Sequence, residues 1–182
     1  MDYITKPITR RDIRNIAKWF KKINGAQDDL CFDVVSAFER FPVFFPNVIT
    51  EVVNDNDNQF DRSSPATCIP DMMGNYKILI RESVYTDAYN ERGGPRSHIA
   101  HEMAHAILCM LGYTPLFERS FRNREIRPCY RSMEWQAKAL AGEIMVPYEK
   151  TIGMTYLQIQ KACKVSKECA QARIRIDEYN KK

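Results

Sequence analysis

The sequence predicts an α+β fold, with helices first, then a small sheet, then helices again. Three observations carry this. Residues 10–24 and 28–41 repeat apolar side chains at helical spacing. Residues 47–53 and 76–80 are rich in β-branched residues and read as strands. Helical patterns then return at 96–111, 132–145 and 154–180.

Each element has its own justification. In 10–24, Ile13, Ile16, Ala17, Phe20 and Ile23 form one face, and Arg11, Arg14, Lys18, Lys21 and Lys22 a solvated basic face. In 28–41, Asp28 or Asp29 is the expected cap and Leu30, Val34, Ala37, Phe38 and Phe41 the apolar stripe, with Pro42 and Pro46 as breakers. The Asn/Asp/Ser/Pro run 54–65 reads as a loop, and Met72-Met73-Gly74-Asn75 as a hairpin turn feeding the second strand. Pro95 suits the first turn of a helix, and Gly112 suits its C-terminal cap. Residues 113–130 look irregular, and Pro147 stops the next helix. At 182 residues the chain is one domain with at most a small appendage, here residues 151–182 packed on a body of 1–150.

Composition narrows the function. A net charge of +4 and a pI near 8.7 permit an acidic partner without demanding nucleic acid. The N-terminal stretch has no apolar core of a secretory signal, and no apolar run approaches a membrane span. Cys31, Cys68, Cys109, Cys129, Cys163 and Cys169 show no CxxC pair. A cytoplasmic protein with reduced thiols is expected.

The chemistry sits in His101-Glu102-Met103-Ala104-His105. Residues four apart on a helix share a face, so both imidazoles can reach one Zn²⁺ at about 2.0–2.1 Å. Glu102 lies beside that face and can serve as the base for a water activated by the ion. His98 would sit about 10 Å along the axis from His105, too far to share one ion with it. Cys109 continues the face but reads as a core thiol. A catalytic zinc needs a third protein ligand. Glu118, Glu125, Glu134 and Glu143 are the downstream carboxylates. Glu134 is preferred because it opens an apolar-faced helix that can hold it rigidly. Tyr130, Arg131, Tyr113 and His98 are candidates for stabilising an oxyanion.

Two segments, 96–108 (RSHIAHEMAHAIL) and 134–147 (EWQAKALAGEIMVP), resemble the ImmA/IrrE family of zinc metallopeptidases. The first is similar to that family's R-F-T-x-A-H-E-x-x-H, the second to its E-x-x-A-N-x-F-A-x-x-L-L-M-P. The resemblance implies a zincin-like, more narrowly gluzincin-like, fold. It has N-terminal helices, a small sheet, an HExxH helix, a glutamate helix and a short helical tail. It implies zinc on His101, His105 and Glu134, with Glu102 as base. It also implies an endopeptidase that cleaves a helix-turn-helix transcriptional repressor, releasing phage, mobile-element or stress genes. Lys138 stands where the family has Asn, Leu140 where it has Phe and Val146 where it has Met. Cys109 stands where many members have His.

The tail, 159–174, resembles a helix-turn-helix, with Ala162 between the helices and Ser166 as cap. Lys164, Lys167 and Arg173 are its potential phosphate contacts. Glu168, Asp177 and Glu178 offset them, so direct nucleic-acid binding is not expected. The competing reading is a DNA-binding regulator or toxin–antitoxin component with a non-catalytic zinc site. Glu102 discriminates, since a purely structural site has no need of it.

Overall fold

The computed structural model describes residues 2–58, 61, 63–71, 73–116 and 128–180. Its elements run α1 (Arg10–Ile23), α2 (Val34–Glu39), α3 (Phe41–Phe44), β1 (Val48–Val53), β2 (Ala66–Pro70) and β3 (Tyr76–Arg81). There follow α4 (Glu82–Tyr89), α5 (Gly93–Met110), a 3-10 turn (Cys129–Arg131), α6 (Met133–Met145), α7 (Tyr148–Thr151), α8 (Tyr156–Cys163) and α9 (Lys167–Asn180). The α+β class therefore stands. No helix among the described residues is long and apolar enough to cross a membrane.

Thr9 caps α1 by accepting from the Asp12 amide, and Ile13, Ala17 and Phe20 are buried as expected. Lys21 departs from its expected solvated face. It is buried, and its ammonium donates to the Asp29 carbonyl. The helix expected over 28–41 is two short ones. Asp33, not Asp28 or Asp29, caps the first by accepting from the Ser36 amide. Pro42 does not end a helix but occupies the first turn of α3, where its missing N–H costs nothing.

The sheet order is β1-β3-β2, with β1 parallel and β2 antiparallel to the central β3. β3 buries Ile78, Leu79 and Ile80. β2 has no counterpart among the strands expected from sequence. It is five residues long, directly follows the polar run and ends in Pro70. An edge strand tolerates that proline. The turn joining β2 to β3 is where the sequence puts it. Asp71 accepts from the Met73 and Asn75 amides, and Gly74 takes φ 83°. Arg81 is buried at the end of β3, where its guanidinium donates to the carbonyls of Asp55, Asp61 and Ser64. One side chain thus ties down the polar loop.

α5 runs through the core. Ile99, Ala100, Met103, Ala104, Ala106 and Ile107 are fully buried, and small alanines let α6 pack close. Leu140 and Ile144 of α6 complete that contact. The helix ends at Gly112, whose φ of 84° needs a residue without Cβ strain. In the tail, Ser166 Oγ accepts from the Cys169 amide, capping α9 as expected. The residues that seal α8 into the core are Ile159 and Cys163, while Ala162 is half-buried.

Candidate metal centre

The i,i+4 pair on α5 puts His101 and His105 side by side, rings edge to face with centroids 4.6 Å apart. Their Nε2 atoms are 3.1 Å apart. Glu134, in the first turn of α6, reaches across from the facing helix. Its Oε2 lies 3.4 Å from His101 Nε2 and its Oε1 lies 3.2 Å from His105 Nε2. Three donors around a tetrahedral ion at about 2.0–2.1 Å stand about 3.3–3.4 Å from one another. The three residues therefore sit close enough to bind one metal ion.

Electrostatics favours the forms a metal requires. Burial, then the neighbouring His105 and Lys138, brings His101 down to about 3, so the imidazole is neutral. Burial likewise lowers His105, against the opposing pull of Glu134. Neutral imidazoles and a carboxylate are the ligating states.

Glu102 lies beside this cluster and outside it. Burial raises its carboxyl to about 7, helped by the charge of Glu134 and opposed by a hydrogen bond from the Cys68 backbone. The Cys68 contact ties edge strand β2 to α5.

The second helix is positioned from a distance. Ser132 caps α6 by accepting from the Trp135 amide. Asp2 accepts from both Ser132 Oγ, at 2.6 Å, and the Glu134 amide, at 3.1 Å. The Met133 amide donates to the Tyr3 carbonyl. Gln136 is fully buried, and its amide nitrogen donates to the carbonyls of Lys6 and Tyr130. Sequence reading missed Asp2 and Gln136, because no local pattern announces a partner about 130 residues away.

Residues 48–175 match the family model described as the IrrE N-terminal-like domain, Peptidase_M78. The chain belongs to this family. M78 membership makes it a peptidase family member and agrees with the resemblance seen at the two helices. Neither a curated protein nor a solved structure gave a match.

The remaining sequence candidates separate cleanly. Glu143 is buried, held by Arg14 Nε at 3.3 Å and by the Tyr148 amide, and is not in the cluster. Glu118 and Glu125 lie outside the described residues. Cys109 is a buried free thiol that accepts a hydrogen bond from the Tyr76 hydroxyl, away from the three donors. His98 shares a cavity with His101. Tyr113, Tyr130 and Arg131 do not line that cavity. Lys138 Nζ stands 3.9 Å from Glu134 Oε2 and is mostly exposed. All six cysteines are free.

Proposed function

We propose that this chain is a cytoplasmic zinc endopeptidase that cleaves a protein substrate, a helix-turn-helix transcriptional repressor. His101, His105 and Glu134 hold the ion and Glu102 is the base. The observation that carries the reading is the spacing of the three donors at 3.1–3.4 Å with a raised carboxyl beside them. The repressor as substrate rests on the ImmA/IrrE resemblance.

Zinc, when bound, supplies a Lewis acid that polarises the scissile carbonyl and makes water a nucleophile near neutral pH. Glu102 takes the proton of the attacking water and returns it to the departing amide nitrogen. A carboxyl with a pKa near the working pH is suited to both halves of that task. His98 is the oxyanion candidate this arrangement favours, because it lies one turn before His101 in the same cavity. β2, on the outer edge of the sheet and hydrogen-bonded to Glu102, offers backbone groups to an extended peptide.

The regulator reading draws less support. Of the tail's three candidate phosphate contacts, Arg173 is buried, donating to the Tyr148 carbonyl with its guanidinium over the Tyr148 ring. Lys164 is paired with Glu91. That leaves Lys167 alone of the three, and a single lysine is a poor phosphate clamp.

The decisive experiment compares Glu102→Gln with Glu134→Gln for zinc content and cleavage of a candidate repressor. Glu102→Gln is expected to keep zinc and lose about 10²–10⁴ in rate. Glu134→Gln is expected to lose metal affinity and activity together, as are His101→Ala and His105→Ala. Wild-type cleavage by Glu102→Gln would end the peptidase mechanism.

A further inference from the structure

The cavity that contains His101 is unlike the metal cluster in charge. It holds about 540 Å³ between α1, α5, α6 and α9. Arg10 and Lys138 bring positive charge to its lining, Arg173 being committed to the Tyr148 carbonyl and ring, and Glu143 is the one carboxylate among its described lining residues. Glu143 is already compensated by Arg14 at 3.3 Å. The rest of the wall is largely apolar, with Trp135, Val146, Ala172 and Ile176. Arg10 lies over the Trp135 ring at 4.5 Å, which holds its guanidinium at the wall. Arg10, Trp135 and Ile176 also line a second cavity, so the groove continues past them.

We propose that this groove takes an acidic, otherwise apolar stretch of the peptide substrate, with Lys138 and Arg10 selecting a carboxylate side chain close to the scissile bond. The proposal rests on the metallopeptidase reading for the position of the cut. Lys138 Nζ is 3.9 Å from Glu134, a member of the metal cluster. An extended peptide advances about 3.3–3.6 Å per residue, so a Glu or Asp within about two residues of the cut reaches that ammonium. Apolar neighbours of that acid fill the wall beyond. The shape favours peptide over nucleic acid, since the cations line a concave, largely apolar groove rather than an exposed ridge.

The test uses fluorescein-labelled Ala/Leu peptides carrying a single Glu, Gln or Lys at successive positions. Binding is measured by anisotropy on the Glu102→Gln protein, and cleavage by mass spectrometry on the zinc-loaded wild type. The Glu peptides are expected to bind about tenfold tighter than their Gln twins, the size of one partly shielded charge pair. Lys138→Gln should narrow that gap, and Lys138→Glu should narrow it further or turn the preference toward Lys. Lys138 is exposed, so these variants should fold, and zinc content checks that the cluster survives. Arg10→Gln provides a second, independent loss of preference. Equal binding of the Glu and Gln peptides overturns the proposal, as does displacement of the acidic peptide by mixed-sequence DNA at physiological salt. Selective binding with no cleavage of any peptide would sink the metallopeptidase reading while supporting the assignment of the groove.

Discussion

α5 and α6 each deliver part of one cluster, yet they are held in place by different means. α5 carries its chemistry in five consecutive residues, and its register follows from its own apolar face. It is anchored at its start, where Gly93 meets the backbone of Val165 and Ser166 in the tail. Arg96, one turn later, is buried and donates to the Phe32 carbonyl at 2.6 Å. α6 contributes one carboxylate in its first turn, where helices fray most. Its anchor is the N-terminal segment, through Asp2, Tyr3 and Lys6. A motif within one helix keeps its internal spacing from that helix alone, whatever anchors the helix in the fold. A donor at a helix end needs something from elsewhere to hold the end.

The comparison breaks most sharply at Gly93. Any Cβ there would be driven into the backbone of Val165 and Ser166, which cannot rotate out of the way. Gly93→Ala is expected to cost about 3 kcal/mol or more, because overpacking against backbone forces the tail and helix apart. Thermal unfolding measures this. A Tm equal to wild type would show that the tail does not clamp α5.

The next effect belongs to Glu102. Its carboxyl lies at about 7 in the fold against an ordinary 4.5, so the folded state binds the extra proton between those values. Stability from this group is therefore full below about pH 4.5 and is lost as pH rises through about 7. Glu102→Gln removes that loss. In metal-free protein it should stabilise the fold by roughly 3 kcal/mol above pH 7 and by little near pH 4.5. His101 and His105 act the other way, since their lowered values make acid destabilising, but they are common to both proteins. Matched pH–Tm series of the two metal-free proteins read the difference directly, and a constant offset across pH would refute the assignment.

For α6, Asp2→Ala removes the acceptor for the Ser132 hydroxyl and the Glu134 amide. A cost of about 1 kcal/mol is expected, the usual worth of a helix-cap contact. The sharper readout is zinc affinity, which should fall with it while Glu102 is untouched. Unchanged affinity would mean that Ser132 and the core hold Glu134 unaided.

These differences also explain what could be read in advance. The HEMAH spacing and Gly112 act within one or two turns, and local pattern reveals them. Glu134 was legible as a rigid carboxylate on an apolar helix. Asp2 and Gln136 were not, because their partners are distant in sequence. α4 was missed because its eight residues bury little, Ala88 being its one fully buried side chain. β2 hid behind a polar run and a terminal proline. Lys21 was misplaced on the solvated face because a long stem let its ammonium find a backbone acceptor under the surface.

The smallest expected effect compares the two helix ends themselves. α5 ends on Gly112, whereas α8 ends on Lys164, held left-handed at φ 51° and ψ 49°. A non-glycine residue there costs about 1 kcal/mol, and Lys164 offsets part of it through its pair with Glu91. Lys164→Gly removes both the strain and the pair, and it adds freedom to the unfolded chain. The net change at low salt should be within about 0.5 kcal/mol of zero. Salt separates the terms, because it screens an exposed pair and leaves backbone strain alone. As salt rises, Lys164→Gly should gain on wild type. Lys164→Ala, which keeps the strain and loses the pair, should be the less stable of the two variants throughout. If Ala matches Gly at every salt concentration, the left-handed cap carries no strain and the contrast between the two helix ends disappears.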